Sequence, residues 1–294
     1  MGRFASAEKQ AAVVMKSLQG RILKSVRTVS NYEQALTNVA RYVKAERLNS
    51  LQALSPLSAV SYLERRGQEV GQKTLDMERQ AIQSMMQHVT HQLDPKERLP
   101  VIQSEQETAL TSRSYTSEQI KLVASSQNER NALATKIAHQ AGIRAHELLT
   151  LQRLEKNPAD PRPATAHKFT GREGDNVAYS VQGKGGLTRE VRLPLALSQQ
   201  LETRATDPLK VTDRGVNYIQ HYDLSGGQKW SNSFSAASDR ALGWSRGAHG
   251  LRHSYAQERM NELQTTGLSQ LDALETVSQE LGHFRPEITK VYLR

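Results

Sequence analysis

From about Val26 to His91 the apolar positions recur at three- and four-residue steps, the period of amphipathic helices. Tyr32, Leu36, Val39, Ala40 and Val43 form one stripe, with Asn31 or Ser30 placed to cap it. Ser55-Pro56-Leu57 opens a second helix whose stripe is Leu57, Val60 and Leu63; a proline this early removes only an N–H that lacks a helical partner. A third runs from Gly71 to Val89 through Leu75, Ile82, Met85, Met86 and Val89. The pattern predicts a helical bundle over 25–93, behind a basic segment 1–24.

Periodicity fades over 94–114, where polar residues and two prolines suggest a linker. A second domain, 115–294, begins at Thr116, with Gln119 three positions on in a capping-box arrangement. Helical spacing continues through Ile120, Leu122 and Val123, then Leu133, Ile137, Ala138 and Ala141, and Gly142 is suited to end that helix. The period then falls to two. Val177–Val181 and Thr188–Leu193 read as strands around the glycine-rich turn Gly183-Lys184-Gly185-Gly186, and Pro194 stops the second. From Leu195 onward the chain reads as helical again, interrupted by a Gly/Ser/Asn-rich region from Leu224 to Ser235, and there are no internal repeats. The expected fold class is mainly α with a small antiparallel β-sheet.

Composition narrows the chemistry. The 39 Lys and Arg against 30 Asp and Glu leave a net charge of +9, which favours a polyanionic partner, nucleic acid first, although such a charge also simply keeps a protein in solution. Cysteine is absent, excluding disulfides, thiolate metal sites and cysteine nucleophiles. No run approaches the roughly 18 apolar residues that span a bilayer, and no secretory signal opens the chain, so a cytoplasmic, nucleoid-associated protein without a membrane partner is expected. At 5% aromatics, single-strand binding on stacked rings is disfavoured.

Candidate chemistry lies in short motifs. Glu147 stands three residues after Arg144, so on a helix its carboxylate would orient the guanidinium to fork onto two phosphate oxygens; an ordinary helix salt bridge has the same spacing. His249 and Arg252 are also three apart, which would bring a proton-transfer group and a second guanidinium to one phosphate, or only mark a helix start. Lys184 at a hairpin tip can reach a leaving oxygen or remain an exposed turn lysine. The turn lacks the G-x-x-x-x-G-K-[ST] pattern of a nucleotide-binding loop. Tyr292, between Val291 and Leu293, is either a docked aromatic or a phenol nucleophile, and the latter needs nearby cations such as Arg144, Arg252, Lys184 and His283.

Taken together, AGIRAHELLTL with Arg144, QGKGG with Lys184, HGLRH, LGH and a tyrosine nine residues beyond that last histidine resemble the tyrosine recombinases, the phage-type integrases and Xer-like enzymes. The resemblance is strong over 116–294 and weaker over the N-terminal helices, which correspond to that family's core-binding DNA-binding domain. It implies Tyr292 as nucleophile, Arg144 and Arg252 as the phosphate clamp, Lys184 as general acid, His249 assisting proton transfer, His283 bonding a non-bridging oxygen, and Glu147 supporting Arg144 from behind. It further implies a 3′-phosphotyrosyl intermediate, no metal or other cofactor, double-stranded DNA carrying a specific recombination site, a homotetramer on DNA, and accessory DNA-bending proteins as partners. Lys121, Lys136, Arg189 and Arg192 are candidate DNA contacts.

Three features depart from that family's pattern. Many relatives continue beyond the tyrosine into a helix that packs on a neighbouring subunit, whereas this sequence stops at Arg294, so that either subunit coupling uses another surface or the sequence is a shortened form. The basic stretch before Val26 is brief for a folded arm-type DNA-binding domain, and the region from Leu224 to Arg246, with Trp230 and Trp244, has no evident counterpart. Two other functions fit the same residues: a DNA-binding protein of this fold without turnover, and a type IB-like topoisomerase acting on one duplex.

Overall fold

The computed structural model describes residues 5–107, 111–172 and 174–294, and the backbone but not the side chain of Lys184. The chain divides into two compact units, Met1–Ala109 and Leu110–Arg294.

The first unit is a helical bundle. Its helices are α1 (Ala7–Leu18), α2 (Val26–Ala45), α3 (Pro56–Gly67) and α4 (Gln72–Met85), the last continued by a π turn, Met86–Thr90. The α2 stripe points inward as its period requires, and it starts at Val26, earlier than a cap at Asn31 or Ser30 would allow. On α3, Ser55 caps the Ser58 N–H at 3.1 Å, but Leu57 is 78% exposed and the inward face is Ala59, Tyr62 and Leu63. The segment 1–24 is not separate from the bundle, because α1 buries Ala11, Val14 and Leu18 in the same core. Residues 94–106 likewise run along this unit: Leu99 is buried in the core, and Gln87 donates to the carbonyls of Asp94, Pro95 and Glu97. Buried polar atoms keep a chain on a surface as firmly as apolar ones, and no periodic pattern records them.

The second unit mixes helices with two small sheets. Helix α5 (Ser117–Ser125) starts at the capping box of Thr116 and Gln119, and α6 (Glu129–Gln140) follows. Strands β1 (Gln152–Arg153), β2 (Asn176–Gln182) and β3 (Thr188–Pro194) form an antiparallel sheet in the order β1-β2-β3, with Tyr179 opposite Val191 and Val181 opposite Arg189. Helix α7 (Leu195–Glu202) leads into a second hairpin, β4 (Ala205–Asp213) and β5 (Val216–Tyr222). The sequence pattern reads that stretch as helical. Its strands are exposed over most of their length, so no alternation of buried and exposed positions marks them.

Four helices complete the unit: α8 (Gly227–Leu242), α9 (Gly250–Thr265), α10 (Gln270–Glu280) and α11 (Pro286–Thr289), with a final 3-10 turn, Lys290–Leu293. The Gly/Ser/Asn-rich stretch expected as an interruption is largely α8, which buries Trp230, Phe234 and Ala237 at helical spacing. Trp244 stacks on Tyr115, ring centroids 5.2 Å apart.

Gly142 ends α6 with φ +58°, and a Cβ there would lie 2.5 Å from Cδ1 of Tyr255 on α9. Gly142→Ala should therefore combine left-handed strain with overpacking and cost roughly 2–4 kcal/mol. Gly243, with φ +78° and nothing within 4 Å of its Cβ position, carries the strain alone, so Gly243→Ala should cost about 1 kcal/mol. Urea unfolding of the two variants checks the difference.

Candidate active site

Arg144 follows the glycine turn that ends α6, and buried Ile143 fixes the backbone in front of it. It stands in a loop before the 3-10 turn Glu147–Leu149, so the helical face expected for Arg144 and Glu147 is absent. The loop gives a tighter grip. Glu147 is wholly buried, and its Oε1 accepts from Nη1 of Arg144 at 2.7 Å. Its Oε2 accepts from the Arg144 backbone N–H and from Nη2 of Arg189, each at 2.8 Å. Burial by itself would raise the Glu147 carboxyl, but Arg189, Arg252 and Arg144 outweigh it and hold the group far below the ordinary carboxylate range.

Arg252 lies in the first turn of α9 and is completely buried. Its Nη1 donates to the carbonyl of Gly142, and its Nη2 to the carbonyl of Leu281. Both acceptors are backbone groups just past the ends of α6 and α10, where helices leave carbonyls unpaired and the dipole is negative. Burial, then Arg144, push the Arg252 guanidinium down to about 9, still above neutral pH, so it remains a cation. Its Nε has no partner.

His283 follows α10 and joins the two arginines. Its Nε2 is 3.2 Å from Nη2 of Arg144 and 3.1 Å from Nη2 of Arg252, while its Nδ1 is 3.1 Å from Oγ1 of Thr289. Two guanidinium donors on Nε2 require that nitrogen to be the acceptor, so the ring is neutral with its proton on Nδ1. Burial, then Arg252 and Arg144, lower His283 to about 3.

Tyr292 lies in the terminal 3-10 turn, 8% exposed, and packs against α9 of its own chain. Its ring centroid is 5.5 Å from that of His249, 4.7 Å from His253 and 5.2 Å from His283, and the Arg252 guanidinium sits 5.5 Å from it. Gln257 ties the turn down from α9, its Nε2 donating to the carbonyl of Tyr292 at 3.0 Å and to that of Arg294 at 2.8 Å. His249 and Arg252 at the start of α9 and His283 after α10 thus gather around the tyrosine ring, and Arg144 joins them through His283. His249 precedes the first turn of α9 at the exposed rim; burial of its inner edge and Arg252 beside it push it below its ordinary value.

Sequence reasoning missed His253 and Gln257, one and two turns after His249 on the same face of α9. The spacing was available as a signal. His253 is 4% exposed, its Nδ1 lacks a partner, and burial followed by Arg113 lowers it to about 4.

Lys184 belongs to the 3-10 turn Lys184–Gly186 at the β2–β3 tip, and its side chain lies outside the described residues. Among the candidate DNA contacts, Lys136 is exposed and Lys121 is exposed beside Glu118 at 2.7 Å. Arg192 is half-buried, paired with Glu190 at 2.6 Å and over the Phe169 ring. Arg189 does not belong with them. It is 3% exposed, and both its terminal amines face inward, to Glu147 and to the carbonyl of Glu280 at 2.7 Å, because a guanidinium on this face of β3 meets a buried carboxylate before it meets solvent.

The histidines make stability depend on pH. An imidazole titrates near about 6.5 in an unfolded chain, but folding holds His253 near about 4 and His283 near about 3, so the unfolded state binds more protons between those values. Their contribution is complete above the unfolded value and is lost as pH falls towards the folded ones. Replacing either by Asn should flatten the slope of unfolding free energy between about pH 4 and about pH 6 by up to about 1.4 kcal/mol per pH unit. Urea titrations across that range measure it.

No family model matches the chain, and no curated protein matches it in sequence. Solved structures do match in fold. XerH site-specific recombinase bound to difH substrate, a pre-cleavage complex, aligns over 98% of this chain and 91% of its own at 16% identity, with a TM-score of 0.58. A lambda integrase tetramer bound to a Holliday junction aligns over 98% of this chain and 77% of its own at 15% identity, TM-score 0.59. The Tn1549 transposon integrase in complex with transposon right end DNA aligns over 99% and 95% at 13% identity, TM-score 0.50. Mainly helical, with small antiparallel sheets and with its motif residues gathered at the ends of those elements, the chain has the fold of the tyrosine recombinases.

Proposed function

We propose that this chain is a site-specific DNA recombinase that cuts and rejoins strands through a 3′-phosphotyrosyl bond to Tyr292. One observation carries the reading: Tyr292, two guanidiniums and three histidines lie together, and among the described residues two buried arginines and the half-buried Arg144 surround a single buried carboxylate, Glu147. A salt bridge that only held the fold together would balance its charges. This pocket keeps a surplus of positive charge, which suits an anion that enters and leaves.

In the proposed reaction Arg144 and Arg252 hold the non-bridging oxygens of the scissile phosphate, and His283 takes a proton from solvent on Nε2 as the anion enters and donates it in a hydrogen bond to one of those oxygens. Tyr292 attacks phosphorus in line with the 5′-oxygen. The new bond is tyrosine oxygen to phosphorus, and the bond that breaks is phosphorus to the 5′-oxygen, which takes a proton from Lys184. The phenol proton passes to His249, uncharged in the empty pocket and so able to accept it. Attack by a 5′-hydroxyl reverses the step. One phosphodiester is exchanged for one phosphotyrosyl ester, so ATP has no part in the energy balance and the guanidiniums carry the developing charge.

The wider reading follows from the chemistry. Exchange between two duplexes takes four cuts, hence four chains on DNA, each supplying its own tyrosine. Duplex affinity rests on phosphate contacts, with Lys121, Lys136 and Arg192 and the N-terminal helical unit contributing, and therefore falls steeply with salt. Accessory bending proteins and a cytoplasmic, nucleoid-associated location belong to the same proposal.

The test uses a pool of randomised duplexes, each nicked near its centre so that the short strand is lost after cleavage. Incubated with them in EDTA, the protein should form an adduct that survives denaturation, and Tyr292→Phe should form none. Adduct persisting in that variant would remove Tyr292 as nucleophile, and a requirement for magnesium would indicate a nuclease. Arg144→Gln should slow adduct formation by about 10²–10³. Sedimentation should give a monomer or weak oligomer without DNA and four chains on a recombining pair of duplexes; a stable free tetramer would contradict this assembly.

A further inference from the structure

We infer that Arg189 is a positioning residue for the candidate active site: it neutralises Glu147, so that Arg144 is oriented by that carboxylate without losing its charge to it, and it locks the β2–β3 hairpin to the turn that carries His283. The inference rests on the recombinase reading of this pocket.

The geometry is a bridge with three footings. Arg189 rises from β3, opposite Val181 in the hairpin register. Its Nη2 reaches Oε2 of Glu147 at 2.8 Å, and its Nη1 reaches the carbonyl of Glu280 at 2.7 Å, the last residue of α10. That carbonyl stands three residues before His283. The side chain also shapes what lies next to it: Gly282 has φ +73°, and a Cβ there would fall 2.6 Å from Cδ of Arg189, so the turn after α10 closes directly over the arginine. At the hairpin turn a Cβ on Gly183 would lie 3.3 Å from Oε1 of Glu147. The hairpin whose turn carries Lys184, the loop of Arg144 and the turn of His283 therefore meet on one guanidinium.

Charge gives the bridge its purpose. A carboxylate paired only with Arg144 would fix its orientation but cancel its attraction for a phosphate. With Arg189 as the permanent counter-ion, Glu147 can accept from both the main chain and the side chain of Arg144 while two positive charges remain for the anion. The Glu280 carboxylate does not compete, because Arg259 and Tyr255 occupy it. A lysine could supply the charge, but not two planar donors aimed at a carboxylate and a carbonyl together.

The charged and titratable groups facing Glu147 are Arg144 and His146 on its own loop, Arg189 on β3, Arg252 on α9 and His283 after α10. Removing the arginine at 189 leaves a buried carboxylate with one direct partner, and burial then drives it towards its protonated form. The experiment measures single-turnover adduct formation from pH 5 to 8 for wild type, Arg189→Gln and Arg189→Lys, with duplex binding measured on the same chains carrying Tyr292→Phe. In Arg189→Gln the acid limb of the rate should move up by about one pH unit or more. In Arg189→Lys the limb should stay where it is in wild type while the rate falls about tenfold or more, with binding within about threefold. A loss in Arg189→Gln by one factor at every pH, or a wild-type rate in Arg189→Lys, would overturn the inference. Should Arg189→Gln fail to fold, the lysine variant decides alone. No adduct from wild type would sink the recombinase reading itself, a separate outcome.

Discussion

Positive charge held out of water without full compensation is the constraint around which the second unit is built. Arg189 and Arg252 are 3% and 0% exposed, Arg144 is mostly covered, and Glu147 is their one direct carboxylate among the described residues. Taking ions out of water costs several kcal/mol each, and a lone carboxylate recovers only part of that for three guanidiniums. The rest is met by dipoles. The carbonyls of Gly142, Leu281 and Glu280, at or just past the C-terminal ends of α6 and α10, receive arginine N–H groups, and these are the ends at which helices present unpaired acceptors. Two helices are in effect aimed at the cations by their negative ends.

That arrangement explains why the candidate site residues sit where regular structure stops. Arg144 comes after the glycine turn of α6, His249 just before α9, His283 after α10, and Tyr292 in the last turn of the chain. Three of them are held by named partners: Arg144 by Glu147 on its own loop, His283 by Thr289 and two arginines, and the tyrosine turn by Gln257. The packing of α9 against α6 and α10 sets the distances, and the loops place only the tips.

Arg144, His249, Arg252, His283 and Tyr292, which the structure brings near one another, stand out in the sequence because their motifs are local, each recognisable from a few neighbours; the side chain of Lys184, from the same kind of motif, lies outside the described residues. Arg189 was misread as a surface cation because its partners lie 42 and 91 residues away, and nothing beside it in the sequence distinguishes a buried arginine from a solvated one. The same limit applies to the folds around the site. The apolar stripe of α2 was visible, since burial there has helical period. The β4–β5 hairpin, exposed along most of its length, has no pattern to read. Helix α8 was hidden by its serines and asparagines, although Trp230, Phe234 and Ala237 carry the period. Local composition was weighed there against three buried positions, and tertiary packing decided for the three.

The two kinds of positive group in the pocket divide the work by when they are charged. The guanidiniums are cations whether or not a ligand is present, so their attraction for a phosphate exists before it arrives and the fold bears its cost continuously. The imidazoles are held neutral first by burial, with repulsion from Arg252 added at His249 and His283 and from Arg113 at His253. Under the proposed reaction an entering phosphate screens that repulsion, and protonation becomes easier at the moment a proton acceptor is needed. A pocket lined only with arginines would bind the anion and have nowhere to put the phenol's proton. One lined only with histidines would lack the fixed field to draw the anion in. In the proposed reaction burial and the arginines together leave the proton acceptor empty before the phosphate enters, and the anion's own charge makes it ready to fill.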